Sequence, residues 1–247
     1  MPSWNIHTAH AEHLLMGNVS EQLGIEDANA FLFGSYVPDI YVGFMVPDAS
    51  FRIDYCITHH AKVSSIPLPD ADRFWDAYIH KRRPQSGTGL SLVLGAWAHL
   101  VADRFYNGRF RVFCRENTQL KGDELRIRKQ GDFDVFGHSL GISAKVKITA
   151  SLVEAAWDYR PYCIHESDVA RTVKVASTIV DETVAAGGRS YRLLNAEWMD
   201  EAFGSCNERI ITWLQTWRRR EAVGASCSAA EVRRHAGLPP ATEDAGM

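Results

Sequence analysis

The run GAWAHLVADRFYN, residues 95–107, sets His99 and Asp103 four positions apart inside an otherwise apolar, aromatic-rich segment. From about Leu90 to Tyr106 the chain is at its most apolar, and this stretch is read as the central helix of an all-α fold. Residues at i and i+4 lie one turn apart on one helix face, so the imidazole and the carboxylate point the same way. Two readings are open. The pair is a histidine bonded to its own helix neighbour, or it is two ligands of one metal ion, because imidazole nitrogen and carboxylate oxygen suit zinc and similar cations. Leu94, Trp97, Ala98, Leu100 and Val101 surround the pair, and an uncompensated charge there is costly. Something has to neutralise Asp103.

Around this segment, 247 residues at 46% hydrophobic content are enough for one substantial core. A net charge of −3 offers no basic excess to recruit nucleic acid or an anionic membrane surface. The first residues do not pair a basic stretch with an apolar one, and no run approaches ~18 apolar residues, so a cytoplasmic protein without a transmembrane segment is expected. Five cysteines, none in a C-x-x-C pair, are read as reduced thiols.

The spacing of Leu14, Leu15, Val19 and Leu23 predicts a first helix over residues 9–23, capped by Gly24. A short apolar helix ends near Gly34, and Pro38-Asp39 marks a turn. Asp70 is a candidate N-cap for a helix running to Arg83. Residues 124–149 leave a small hairpin and a long loop both open. Helical patterning returns with Val169, Val173, Ala176, Val180 and Val184, ends at Gly187-Gly188, and recurs from Ala196 to Arg220. The predicted organisation is a single multi-helix domain over residues 1–220 and a partly disordered tail over 221–247.

Candidate partners for the central pair are His7, His10 and His13 near the start, Asp39 in YVPDIY, and His59 with His60 in CITHHA. The three early histidines recur every third residue and share one helix face, so not all of them need be ligands. Taken in order, these pieces are an N-terminal histidine, G-x-x-x-P-D over Gly34–Asp39, T-H at Thr58-His59, and G-x-x-x-H-x-x-x-D over Gly95–Asp103. This order resembles the zinc-dependent phospholipase C family and the related S1/P1 nucleases, over roughly residues 1–107.

The resemblance implies an all-α domain of phospholipase C/P1 nuclease type holding one or two zinc ions or other divalent metals. It implies a first ion on Asp39, His59, His99 and Asp103, and a second on Asp103 with His7 or His10. His7 matches the histidine that begins the family's first helix. The chain departs from the family in two places. The secreted members ligate a metal through the amine of a mature N-terminal tryptophan, whereas Trp4 here follows Met1, Pro2 and Ser3. The family's third zinc uses an H-x-x-x-E arrangement that the downstream half does not contain.

The implied chemistry is hydrolysis of a phosphoester, soluble or on a lipid headgroup, by metal-activated water, with Asp39 assisting as a base. The alternative is a metal-binding structural or interaction protein that lacks the full catalytic cluster. An HD-type phosphohydrolase is a third helical, metal-dependent class, but it needs an adjacent His-Asp dipeptide and none occurs. Tyr36, Tyr41, Phe44, Tyr55 and Phe105 are candidates for an apolar pocket wall, with the core as their bland alternative. Arg104 and the basic run Arg126–Lys129 are read as approaching a phosphate or as solvated charge.

Overall fold

The computed structural model describes residues 2–17, 19–43, 45–183 and 190–240. In chain order its elements are α1 (Trp4–Leu15), α2 (Val19–Gln22), α3 (Ala28–Gly34), a 3-10 turn (Val37–Asp39), α4 (Tyr55–Thr58), and α5 (Ala71–Trp75) continued by a π-helical turn (Asp76–His80). There follow α6 (Gly87–Asn117), α7 (Gly122–Ser139), α8 (Ala150–Trp157), α9 (Glu166–Thr183), α10 (Ala196–Ala222) and α11 (Ala229–Ala236). Every regular element among the described residues is helical, as the all-α reading expects.

The central helix exists and is longer than its apolar stretch. Ser86 caps α6, its Oγ accepting from the Gly89 N–H at 3.0 Å. Thirty-one residues at 1.5 Å each make it about 46 Å long. Between Gly89 and Phe110 every residue except Arg104 and Arg109 is buried, so α6 is wrapped on all sides.

α3 crosses α6 at glycine on glycine. A Cβ on Gly34 would lie 2.2 Å from the Leu92 carbonyl oxygen, and one on Gly95 would lie 2.1 Å from that of Phe31. Only glycine permits this approach, and it sets Asp39, just beyond α3, close to the His99 face of α6. Farther along, Trp75, Trp97, Trp213 and Trp217 from α5, α6 and α10 pack with ring centroids 5.0–5.4 Å apart. Such aromatic pairs each add about 1 kcal/mol beyond the area they bury.

Three expectations change. The first helix begins at Trp4, not at residue 9, and stops at Leu15; the short α2 then leads to Gly24, which takes φ +77° as a helix-ending glycine does. Residues 122–139 are helix α7, and only 140–149 lack regular structure, so there is no hairpin over 124–139. The inward face of α7 includes Lys129 and Asp132 beside Phe133 and Phe136, and these two charges hide the helical period. Asp132 accepts three backbone N–H bonds, from Arg192, Leu193 and Leu194 at 2.7–2.8 Å, which tie the segment before α10 to α7.

Asp70 caps α5 as expected, accepting from the Arg73 N–H at 3.0 Å. The end of α9 expected at Gly187-Gly188 lies outside the described residues. Within 221–240 the chain forms α11, opened by a Ser228–Glu231 capping box and anchored by Arg233, whose guanidinium donates to both oxygens of Asp72 at 2.5 and 2.7 Å. Residues 241–247 of the expected tail lie outside the described residues. All five cysteines are free thiols.

Candidate metal centre

Four separate segments deliver the donors. α1 carries His7 and His10 one turn apart, and the 3-10 turn opened by Pro38 carries Asp39. His59 is the C-cap of α4, and α6 contributes His99 and Asp103. A four-residue helix has little stability of its own, so α4 is held at both ends. Asp54 caps its start by accepting from the Cys56 N–H at 2.8 Å. At the other end, Ala61 N–H donates to the Cys56 carbonyl at 3.0 Å and His60 N–H to that of Ile57 at 3.3 Å. This is a Schellman closure, with His60 left-handed at φ 51°, and it turns His59 inward.

The side chains converge. His59 Nε2 lies 3.2 Å from His99 Nε2, 3.5 Å from Asp39 Oδ1 and 3.6 Å from Asp103 Oδ2. His99 Nε2 lies 3.8 Å from Asp103 Oδ2 and 3.9 Å from Asp39 Oδ2. The other oxygen of Asp103, Oδ1, lies 3.4 Å from His7 Nε2, and the His7 ring stacks on that of His99 with centroids 3.8 Å apart. None of the five residues is more than 2% exposed.

Hydrogen bonds fix the imidazole tautomers. His99 Nδ1 donates to the Ser35 carbonyl at 2.8 Å, so its Nε2 presents a lone pair when the ring is neutral. Thr58 Oγ1 donates to the Tyr55 carbonyl and accepts from His59 Nδ1 at 2.8 Å, leaving His59 Nε2 in the same state. Two lone pairs 3.2 Å apart repel unless a cation lies between them. Asp39 Oδ1, Asp103 Oδ1 and His7 Nε2 are buried without a hydrogen-bond partner. Buried polar atoms of this kind are available to hold an ion.

Burial lowers His7 to about 4 and His59 to about 3, so both rings are neutral near pH 7, the form that ligates. Burial also pushes Asp39 up from the ordinary carboxylate range. It opposes ionisation of Asp103 as well, yet His99 and His7 beside it hold that carboxyl below its usual value. Two triads of buried donors, His7–His99–Asp103 and Asp39–His59–His99, can each hold a metal ion. A tetrahedral zinc site with ligands at about 2.0–2.1 Å sets its donors about 3.3–3.4 Å apart, close to the 3.2–3.9 Å edges here.

Five of the six residues singled out in the sequence thus come together. His10 lies apart from both triads: its Nδ1 bonds Asn207 Oδ1 at 2.7 Å, and its ring stacks on Phe203 at 4.4 Å. Tyr36, Tyr41 and Phe105 are core residues, Tyr55 is half-buried, and Phe44 lies outside the described residues. Arg104 donates to the Pro69 carbonyl at 2.9 Å. Arg126 and Arg128 pair with Asp123 and Glu124 on the surface of α7, whereas Lys129 is buried with its Nζ on Asn107 Oδ1 at 3.1 Å.

Two residues named in the sequence for other reasons orient the donors. Trp4 Nε1 donates to Asp39 Oδ2 at 3.0 Å, and Tyr55 donates to Asp103 Oδ2 at 3.2 Å while stacking on His59 at 3.8 Å. Tyr55 stands four residues before His59 and Trp4 three before His7, and that spacing is the signal in the sequence for this orienting role. Comparison with protein-family models, curated proteins and solved structures returned no match. Among the described residues, no helix is long and apolar enough to cross a membrane.

Proposed function

We infer that His7, Asp39, His59, His99 and Asp103 hold divalent metal, zinc by the mix of nitrogen and oxygen donors, and that the protein hydrolyses a phosphoester. The observation that carries this reading is the pair of imidazole lone pairs facing each other at 3.2 Å between two buried carboxylates. When bound, a divalent ion supplies activated water at neutral pH and polarises a phosphoryl oxygen. Asp103 spans two positions, with Oδ2 toward His59 and His99 and Oδ1 toward His7, a carboxylate arranged to serve two ions. Asp39 accepts the proton that hydrolysis releases: Trp4 anchors its Oδ2 and its Oδ1 has no partner. The substrate class is a small phosphoester, free or on a lipid headgroup, and the resemblance to the zinc-dependent phospholipase C family supports the same choice.

A second reading is favoured by the depth of the centre. All five donors are buried, as in a structural site that never meets substrate. Metal analysis of the purified protein, of His99→Ala and of Asp39→Ala, combined with turnover of phosphodiester and phosphomonoester model substrates, separates the two. The enzyme reading expects about one or two zinc per chain, loss of metal in both variants, and wild-type turnover that chelation abolishes. Tightly held metal without turnover on any such substrate leaves only the structural role. A wild-type protein that takes up no metal overturns both.

A further inference from the structure

The five donors are closed off from solvent, yet hydrolysis needs a phosphoryl oxygen and a water beside them, so one wall of the centre has to open. The walls differ in thickness. Nine of the twelve residues of α1 are buried, as are all three of the 3-10 turn and all but two from Gly89 to Phe110 of α6. α4 is four residues long, and of these Thr58 alone is buried, while Ile57 is 65% exposed. Local opening falls on the element with the fewest buried side chains, which here is α4.

Tyr55 begins this helix and joins it to the centre. Its hydroxyl donates to Asp103 Oδ2 at 3.2 Å, and its ring lies over that of His59 with centroids 3.8 Å apart and planes 21° from parallel. The other groups that bond the donors' side chains are the Trp4 indole, the Thr58 hydroxyl and the Ser35 carbonyl, and all three belong to buried residues. Tyr55 is half-buried, so it touches the centre at one end and reaches solvent at the other. We propose that Tyr55 is the gate of this centre: it shuts the site by latching onto Asp103, and it admits zinc and then the phosphoester when its side chain swings off His59.

The inference rests on the reading of these residues as a metal centre that meets substrate, and it accounts for an active centre whose donors are all buried. The swing needs a new rotamer of one side chain. The backbone of α4 keeps its place, held by the Asp54 cap and by the closure at His60. When the ring leaves, water takes over as the donor to Asp103 Oδ2, so the open form strands no buried charge. An opening one aromatic ring wide admits a small phosphoester and refuses duplex nucleic acid.

Access to the centre is measured on metal-free protein with diethyl pyrocarbonate, which modifies imidazole nitrogens, each histidine being followed by peptide mass spectrometry. Tyr55→Phe keeps the ring and removes the latch, so modification of His59 and His99 should quicken together, by about tenfold for a lost hydrogen bond to a carboxylate, and Tyr55→Ala should quicken it further. His10, packed between Asn207 and Phe203 away from the gate, should keep its wild-type rate in both variants. An equal rise at His10 is general loosening, and no rise at His59 and His99 puts Tyr55 off the path; either overturns the proposal. Zinc uptake in rapid mixing and zinc release to excess chelator are then compared between wild type and Tyr55→Phe. A gate speeds both by one factor and leaves the dissociation constant unchanged, whereas faster release with unchanged uptake is a hydroxyl that only orients Asp103, which overturns the gate. A protein that takes up no zinc yet shows the selective rise at His59 and His99 supports the gate and overturns the metal reading beneath it.

Discussion

His59 and His99 each commit one ring nitrogen to a fixed acceptor and hold the other toward the same point. The acceptor of His59 is Thr58 Oγ1. In Thr58→Val the imidazole loses the group that sets its tautomer, and metal affinity is expected to fall about 10–100-fold, read by competition with a chromogenic chelator. His13→Ala, an exposed position on α1, should leave affinity unchanged. Both results together separate ligand orientation from a general loss of structure. A histidine outside the metal centre adds to the acid sensitivity. Burial lowers His10 to about 4 in the folded chain against 6.5 unfolded, so between these values the unfolded state binds more protons. Stability is therefore full above about pH 6.5 and declines as pH falls to about 4, by about 3 kcal/mol from this group. Denaturant curves across that range should show the decline, with a shallower slope in His10→Gln. At this scale the donor types and their order were legible, although the i, i+4 pair alone reads equally as a histidine bonded to its helix neighbour and gained its meaning from Asp39 and His59 in the same order. The choice between His7 and His10 was not. It turns on Asn207, which reaches His10 from 197 positions away.

Helices meet here through their smallest residues. The crossing of α3 and α6 at Gly34 and Gly95 leaves no room for a methyl group on either side. Gly95→Ala should cost about 1–3 kcal/mol in chemical denaturation and weaken metal binding with it, because the same displacement draws Asp39 away from His99. Gly204→Ala is the control on a helix: a Cβ there meets nothing within 4 Å, and alanine should stabilise α10 by about 0.5–1 kcal/mol. If Gly95→Ala behaves like Gly204→Ala, the crossing does not position the site. The long helix and the cap at Asp70 were readable because apolar spacing and capping chemistry are local. Helix α7 was hidden because Lys129 and Asp132 point inward and are satisfied by Asn107 and by backbone 60–62 residues away. Inward polar residues break the pattern that sequence reading depends on, and only the partner from elsewhere in the chain restores its sense.

Across the molecule, two carboxylates and three imidazoles share one buried volume, so removing a bound cation should be felt in overall stability. At a free-metal concentration 1,000 times the dissociation constant, binding adds roughly 4 kcal/mol, and chelation should lower the melting temperature by about 8–16 °C. Calorimetry with and without chelator checks this, and an unchanged transition would mean the donors hold no metal. The five donors also have a place in time. All of them lie within residues 7–103, whereas the elements that close over α1, namely α7, α9 and α10, begin at residue 122 or later. Synthesis runs from the N-terminus and chains fold as they emerge. The nascent chain therefore exposes a complete set of donors before the helices that bury them exist. A cation can therefore meet the centre before those helices pack on α1, and loading during synthesis is expected to be faster than loading of the finished protein.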